Sequence, residues 1–210
     1  MSTLTVGRRR RPTKGDRTEA AILDSAWELL ARHPLSAITI EDLAHGAGIS
    51  RSSLYFHFES KDAVIAALAG RVATDVHTSL SALFVGSDTA SADDVRRSVK
   101  AYLVRWREKG AVLRAMATLA ESDTDLRAFW AELTDQLLDE AAAVIESERR
   151  AGCALPAPPA ARDLARVLFA TLWRTGYEVS LTPPSAAEER RIVDTVTLVI
   201  IRSVYGTNAS

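Results

Sequence analysis

The segment 39–58, TIEDLAHGAGISRSSLYFHF, restricts the possible folds more than any other part of the chain. Thr39 can cap a first helix together with Asp42, because a hydroxyl and a carboxylate three residues apart form a capping box. Gly48 supplies the backbone freedom that ends this helix, and Ser50 can cap a second one. Two short helices joined by so tight a turn form a helix-turn-helix, whose second helix lies in the DNA major groove.

The second helix of this motif separates its apolar and polar side chains. Leu54 and Phe58 lie four residues apart on one face, which we assign to the core. Arg51, Ser52 and Tyr55 lie on another face, which must point to solvent. Guanidinium, hydroxyl and phenol groups suit base edges and phosphates. For the turn alone, an ordinary helical corner with an exposed tyrosine remains the alternative.

A strongly basic segment precedes the helix-turn-helix. Residues 1–16 are predicted to form a disordered arm that follows phosphates or enters a minor groove, because they are rich in arginine and contain one acid, Asp16. A solubilising tail is the alternative. The segment lacks the apolar stretch of a signal peptide, so we do not expect it to direct export. The basic side chains up to residue 17 are Arg8, Arg9, Arg10, Arg11, Lys14 and Arg17.

The net charge of −1 is unevenly divided. Residues 1–62 contain nine Lys/Arg and eight Asp/Glu, giving +1, and residues 63–210 contain seventeen and nineteen, giving −2. Positive charge near the helix-turn-helix is expected of a protein that binds selected DNA sites. The single cysteine, Cys153, excludes an intrachain disulfide and predicts a reducing cytoplasm. The longest mainly apolar run, 193–201, is far too short to span a membrane, so no membrane partner is expected.

Three motifs between residues 18 and 64 carry a resemblance to a known family. They are T-I-x-D-L-A from Thr39, G-I-S from Gly48, and L-Y-x-H-F-x-x-K from Leu54. In this combination the stretch resembles the DNA-binding domain of the TetR family of bacterial transcriptional regulators. The remainder is similar to the EthR-like branch of that family through AAAVIESERRAG at 141–152 and SVYG at 203–206.

The resemblance implies a set of DNA contacts. Base or near-base contacts fall on Arg51, Ser52, Ser53 and Tyr55. Phosphate contacts fall on Thr39, Tyr55, Phe56, His57 and Lys61. Ser52 departs from the family pattern, in which proline, lysine or glycine is more usual, and the departure affects the base preference and not the binding mode.

Helical periodicity along the whole chain predicts an all-α protein. We expect a three-helix, helix-turn-helix DNA-binding domain over residues 17–62 and a larger helical domain for ligand binding and dimerisation over 63–210. The loop VGSDTA follows a long helix that begins at Lys61, and the proline-rich segment 152–160 breaks the chain again. The predicted helices are 17–32, the two of the motif, 61–84, 91–109, 111–121, 123–151 (the longest), 161–180 and 185–205.

The last predicted helix is apolar around most of its circumference, so it must be buried on more than one side. In a terminal hairpin the second side is most simply another subunit, and the resemblance implies a four-helix interface in a homodimer. A central position within the monomer is the alternative. The apolar residues are Ile192, Val193, Val196, Leu198, Val199, Ile200, Ile201 and Val204.

Large aromatic side chains recur on several helices of the larger domain. Aromatics that converge in this way either line an apolar pocket or fill the core. The resemblance favours a pocket, because EthR-like proteins have a long apolar channel here. Phe169 and Leu172 stand where that pattern has amides, so we expect a more apolar effector, with no charged residue as its anchor. The predicted ligand-binding residues are Val95, Tyr102, Trp106, Met116, Trp130, Leu133, Thr134, Leu137, Phe169, Leu172, Trp173 and Tyr177.

Catalysis finds little support. No histidine pairs with a cysteine or a second histidine at metal-ligand spacing, and no phosphate-binding glycine loop is present, so we expect no metal and no cofactor. The sequence predicts a dimeric, cytoplasmic repressor that binds a near-palindromic double-stranded operator and responds to a small hydrophobic effector. A ligand-free DNA-binding or partner-binding module with a filled core is one alternative, and an all-α enzyme is another.

Overall fold

The computed structural model describes the backbone of residues 13–84 and 91–206, and the side chains of the same ranges except 75–84. All regular secondary structure in these ranges is helical, which confirms the predicted all-α class. The chain divides into two compact units between Leu68 and Ala69. The predicted domain boundary, at residues 62 and 63, lies slightly earlier, at the start of the helix that contains this division.

The smaller unit contains α1 (Lys14–Leu30), a short 3₁₀ helix (Leu35–Ala37), α2 (Ile40–Gly46) and α3 (Arg51–His57). The predicted start of α1 at residue 17 was three residues late. Thr13 accepts a hydrogen bond from the Asp16 N–H at 3.1 Å, while the Asp16 carboxylate accepts one from the Thr13 N–H at 2.7 Å. This capping box places residues 14–16 in the helix and not in the basic arm. The four consecutive arginines of that arm, 8–11, lie outside the described residues.

The turn between α2 and α3 has the predicted glycine geometry. Gly48 has φ = 66°, a left-handed conformation that other residues adopt only at a cost. The N–H groups of Gly48 and Ile49 donate to the carbonyls of His45 and Ala44, each at 3.0 Å. These two bonds form a Schellman motif, which satisfies the last carbonyls of α2 and turns the chain into α3.

The core of the smaller unit fixes the orientation of α3. Leu54 is fully buried, together with Leu43 from α2 and Ile22 from α1. Helices α1 and α2 meet closely, because a Cβ on Gly46 would lie 2.2 Å from the Ser25 hydroxyl oxygen. Phe58, assigned to the core with Leu54, is only half-buried, since it stands at the end of α3 in an extended conformation.

The long helix α4 (Lys61–Phe84) has the predicted bounds, and it is followed by α5 (Ala92–Leu119), α6 (Thr124–Arg150), α7 (Ala161–Leu181) and α8 (Ala186–Tyr205). The predicted loop 85–90 lies outside the described residues. The prediction of two helices between 91 and 121 was wrong, because α5 continues through Gly110. A Cβ there would lie 2.3 Å from Ser180 Cβ, so Gly110 permits close packing of α7 on α5 and does not end a helix.

In the larger unit, α7 packs between α5 and α6, and α8 packs mainly on α5. At 28 residues α5 is longer than α6, which has 27, so α6 was wrongly predicted to be the longest. The segment 152–160 is held in place by Arg149, which donates to the carbonyls of Leu155 at 2.8 Å and Pro159 at 2.7 Å. No described helix is both long and apolar enough to cross a membrane.

Candidate DNA interface and ligand cavity

The exposed face of α3 has the composition predicted from the sequence. Leu54 is buried at the back of this short helix, and Arg51, Ser52 and Tyr55 are exposed on the other side. The Ser50 hydroxyl caps α3 by accepting a hydrogen bond from the Ser53 N–H at 3.2 Å. Because the helix is both capped and anchored, its polar side chains are presented to solvent on a fixed backbone.

Arg51 is held by two neighbours. Its Nη1 lies 2.5 Å from Oε1 of Glu41, and its Nη2 donates to the Tyr55 hydroxyl at 3.3 Å. The guanidinium carbon is also 5.5 Å from the centre of the Tyr55 ring, within cation–π range. The hydrogen bond with Tyr55 and the charge of Glu41 raise the pKa of Arg51. Glu41, which the sequence analysis did not select, therefore belongs to this surface.

The other predicted DNA contacts differ in their exposure and in the contacts that they already make within the chain. Phe56 is 86% exposed and meets His57 edge to face, with ring centres 5.4 Å apart. Lys61 is half-buried and donates to the Leu35 carbonyl at 3.0 Å. The Thr39 hydroxyl donates to the Asp42 carboxylate at 2.6 Å, within the predicted capping box, and thereby lowers the pKa of Asp42.

A cavity of about 200 Å³ lies among α5, α6, α7 and α8 of the larger unit. Its wall is mostly apolar, as expected for a site that takes a small organic ligand. The predicted ligand-binding residues that line this cavity are Val95, Tyr102, Leu137, Phe169 and Leu172.

The remaining predicted ligand-binding residues do not line this cavity. Trp106 is 1% exposed, and its ring centre lies 4.8 Å from that of Trp173 and 6.5 Å from that of Tyr177. Trp130 contacts Trp173 with a centroid distance of 4.7 Å. In this tryptophan cluster on α5, α6 and α7, Trp106 is buried, whereas Trp130 and Trp173 are half-buried. The predicted residues outside the cavity wall are Trp106, Met116, Trp130, Leu133, Thr134, Trp173 and Tyr177.

Charged and polar residues in the cavity wall were missed by the sequence analysis. Glu148, on α6, lines the cavity and is only 6% exposed, although no charged anchor was expected. Tyr205 and Asp94 line the same cavity. Glu148 could have been found, because it continues the helical spacing of Leu138, the half-buried Ala141 and Ile145 on the inward face of α6.

Comparisons with known proteins agree with this architecture. The family pattern described as "Bacterial regulatory proteins, tetR family" matches residues 22–68, and "Transcriptional regulator EthR, C-terminal domain" matches residues 95–206. The chain therefore belongs to the TetR family of bacterial transcriptional regulators.

Within that family the chain is similar to the HTH-type transcriptional regulator EthR of Mycobacterium tuberculosis, with 33% identity over 99% of this chain and 96% of the relative. EthR of Mycolicibacterium smegmatis is 31% identical over 96% of this chain and 92% of its own length. Among solved structures, Salmonella enterica GusR superposes with a TM-score of 0.71 at 17% identity, covering 93% of this chain and 99% of that one.

These relationships confirm the predicted family, its EthR-like branch and the class of protein. The chain is a helix-turn-helix transcriptional regulator of a repressor family, and it is not an enzyme. Proteins of this family bind DNA operators and form dimers. Among the described side chains, no group of His, Cys, Asp or Glu is arranged to hold a metal ion.

Proposed function

We propose that the protein is a homodimeric, cytoplasmic repressor that binds a near-palindromic operator through α3 and responds to a small, mainly apolar effector. The observation that best supports operator binding is the surface of α3, where Arg51 and Tyr55 are exposed above the buried Leu54. A guanidinium and a phenol on a rigid helix suit the acceptors of the major groove. Two such helices in a dimer would reach half-sites about one helical turn apart.

Roles for the individual side chains follow from their position and chemistry. Arg51, with Ser52, Ser53 and Tyr55, is proposed to contact bases. Phosphate contacts are proposed for the remaining four residues of the set, namely Thr39, Phe56, His57 and Lys61. The ring of Phe56 contacts His57 at its edge but is 86% exposed, and a DNA backbone would cover its open surface.

The test of DNA binding uses a fragment that the wild-type protein selects from random double-stranded DNA. Tyr55→Ala is expected to weaken binding to this fragment at least about fivefold, the low end for loss of a specific base contact. Arg51→Ala is expected to do the same, whereas Arg32→Ala, which removes an equal and exposed charge from the end of α1, is the matched control. Unaltered affinity of Tyr55→Ala in a mobility-shift titration contradicts the assignment of α3.

Support for the homodimer comes from apolar side chains left exposed on the last two helices. In the larger unit the exposed large hydrophobic residues include Val167 and Leu181 of α7 and Leu198 and Val199 of α8, with exposed fractions of 41 to 63%. An exposed apolar surface of this kind is typical of an interface between subunits. The opposite faces of both helices pack within the larger unit, so a second copy is proposed to cover these four side chains.

Dimerisation is tested by sedimentation equilibrium. The double variant Leu198→Asp, Val199→Asp is expected to sediment as a monomer, because two carboxylates in an apolar interface lack partners. Leu155→Asp, which changes an equally exposed leucine in the segment between α6 and α7, is the control and should remain dimeric. A double variant that keeps the wild-type mass excludes this face as the interface.

The effector is proposed to occupy the cavity between α5, α6, α7 and α8. The support is a space of about 200 Å³ with a mostly apolar wall, which a completely filled core would not contain. The ligand would act by binding one conformation of the dimer more tightly than the other, and α4 is the helix that continues from the smaller unit into the larger. Phe169→Trp, which reduces the cavity, is expected to abolish the effector response and leave operator binding intact.

A further inference from the structure

The buried acid in the cavity wall is the least expected group among the described residues. Glu148 is 6% exposed, and its Oε2 atom is buried without a hydrogen-bond partner in the part of the chain that the structure describes. Tyr205 lines the same cavity, and its pKa is raised first by burial and then by the nearby Glu148 carboxylate. A buried carboxylate is costly unless a counter-charge or several donors satisfy it.

The charged neighbours of Glu148 are already engaged elsewhere. Arg149 binds Glu146 at 3.0 Å and the two carbonyls of the following segment. Asp94, the other acid of the cavity wall, contrasts with Glu148, since it accepts hydrogen bonds from Ser91 and pairs with Arg97. No described lysine, arginine or histidine forms an ion pair with Glu148. The cavity therefore contains one acid that the protein itself neutralises and one that it does not.

The rest of the cavity is built for an apolar body. The two acids in its wall are Glu148, near the end of α6, and Asp94, near the start of α5. The wall continues along α5 to Tyr102, about 12 Å further at 1.5 Å per residue. Apart from the two acids, Ser98 and the tyrosine hydroxyls, the lining is aliphatic or aromatic, as at Ile145. The space is thus mostly apolar, with two carboxylates in its wall.

We propose that the effector is an amphipathic organic cation: an amine or ammonium head placed at Glu148 and an unbranched or aromatic apolar body that occupies the apolar remainder of the cavity. The head would supply the N–H donors and the positive charge that Oε2 lacks, and Tyr205 would hold the carboxylate in position. This assignment rests on the proposed function, because it specifies the chemical class of ligand for the same cavity.

Three probes with the same apolar body and different heads test the assignment: octylamine, 1-octanol and octanoate. Each is titrated calorimetrically into the full-length wild-type protein at neutral pH, where the amine is cationic and the acid anionic. Octylamine is expected to bind at least about tenfold more tightly than 1-octanol, and octanoate more weakly than both, because a paired buried charge is worth one or more factors of ten. Equal affinity for octylamine and 1-octanol, or no binding of any probe, overturns the proposal.

Glu148→Gln keeps the shape of the side chain and removes its charge. This variant is expected to lose the preference for octylamine and to bind 1-octanol with wild-type or higher affinity. Glu132→Gln, the same change at an exposed position on α6, is the matched control and should retain the preference. A Glu148→Gln protein that still prefers the amine overturns the proposal. If Glu148→Gln does not fold, the order of the three probes on the wild-type protein decides.

Operator binding without any probe is measured on the same samples by mobility shift. This measurement distinguishes failure of the cationic-effector proposal from failure of the proposed function. A wild-type protein that binds its selected DNA but shows no preference for octylamine contradicts only the cationic effector. A protein that binds no DNA contradicts the proposed function whatever the probes do.

Discussion

The close contact between Gly176 of α7 and Trp106 of α5 leads to a quantitative prediction. A Cβ on Gly176 would lie 2.3 Å from both Cδ1 and Nε1 of Trp106 and 2.5 Å from Cγ. Trp106 has little room to move, because it is 1% exposed and packs edge to face on Trp173 at 4.8 Å. We therefore expect Gly176→Ala to destabilise the larger unit, although alanine is the better helix former.

The expected size follows from two opposing effects. Carbon atoms pack best at about 3.5–4.0 Å, so the new methyl group overlaps the indole by more than about 1 Å. Overpacking of a rigid core costs up to about 3 kcal/mol, and replacement of a helical glycine by alanine returns about 1 kcal/mol. The net loss is about 2 kcal/mol, which for a chain of this size lowers the melting temperature by about 4–8 °C.

Thermal unfolding followed by circular dichroism measures this difference. Gly70→Ala in α4 is the matched control, because the nearest atom to its Cβ would be Phe129 Cζ at 4.0 Å. With no clash, the control is expected to gain about 1 kcal/mol from helix propensity. Adding Trp106→Leu to Gly176→Ala should remove most of the penalty that Gly176→Ala causes on its own. A Gly176→Ala protein that melts at or above the wild-type temperature refutes the packing argument.

Three further predictions concern the smaller unit. Gly48→Ala is expected to cost about 1–2 kcal/mol in thermal unfolding, because its φ of 66° strains any side chain while nothing lies within 4 Å of the new methyl group. Gly48→Asn should cost less, and equal stability of both variants and the wild type would exclude backbone strain. Thr39→Ala is expected to cost about 1 kcal/mol by loss of the helix cap. Hydrogen bonds with Thr39 lower the pKa of Asp42 below its usual 3.8, so the cap stabilises above that pH and its contribution is lost as the pH falls through the lowered value. Unfolding curves measured at neutral pH and at about pH 3 should therefore show a smaller difference between Thr39→Ala and the wild type under acid conditions, and an unchanged difference would contradict the assignment. Leu54→Ala is expected to cost about 2–5 kcal/mol, whereas Phe56→Ala, two residues away and 86% exposed, should change stability by less than about 0.5 kcal/mol and weaken only DNA binding.

The helix-turn-helix was predictable from the sequence because its structure is determined locally. Capping boxes, a left-handed glycine and the spacing of Leu54 each act within a few residues, and the structure contains all of them. Gly110 shows the limit of such reasoning. A glycine within a helical pattern can end the helix or allow another helix to approach, and only the position of Ser180 on α7 decides between the two.

The cavity of the larger unit was less predictable, because its lining also depends on how distant helices pack. Tyr102 and Trp106 are one helical turn apart on α5, yet Tyr102 lines the cavity while Trp106 packs on Gly176. Aromatic character alone does not distinguish a lining residue from a filling one, because both are buried. Glu148 was not predicted because cavity residues were sought mainly among apolar and aromatic side chains. Its helical spacing nevertheless places it on the inward face of α6.

The pair formed by Arg51 and Glu41 has a consequence for how this surface discriminates between DNA sequences. Since the arginine already has an anionic partner at 2.5 Å, it reaches DNA only by exchanging that partner for another acceptor. If a phosphate takes the place of Glu41, one anionic partner of the arginine replaces another, so the binding free energy gains little. A guanine presents two acceptors in the geometry that a guanidinium fits. In the proposed complex, Glu41 would thus weaken contact with arbitrary DNA more than with a matching site, and a residue that never touches the operator would help to select it.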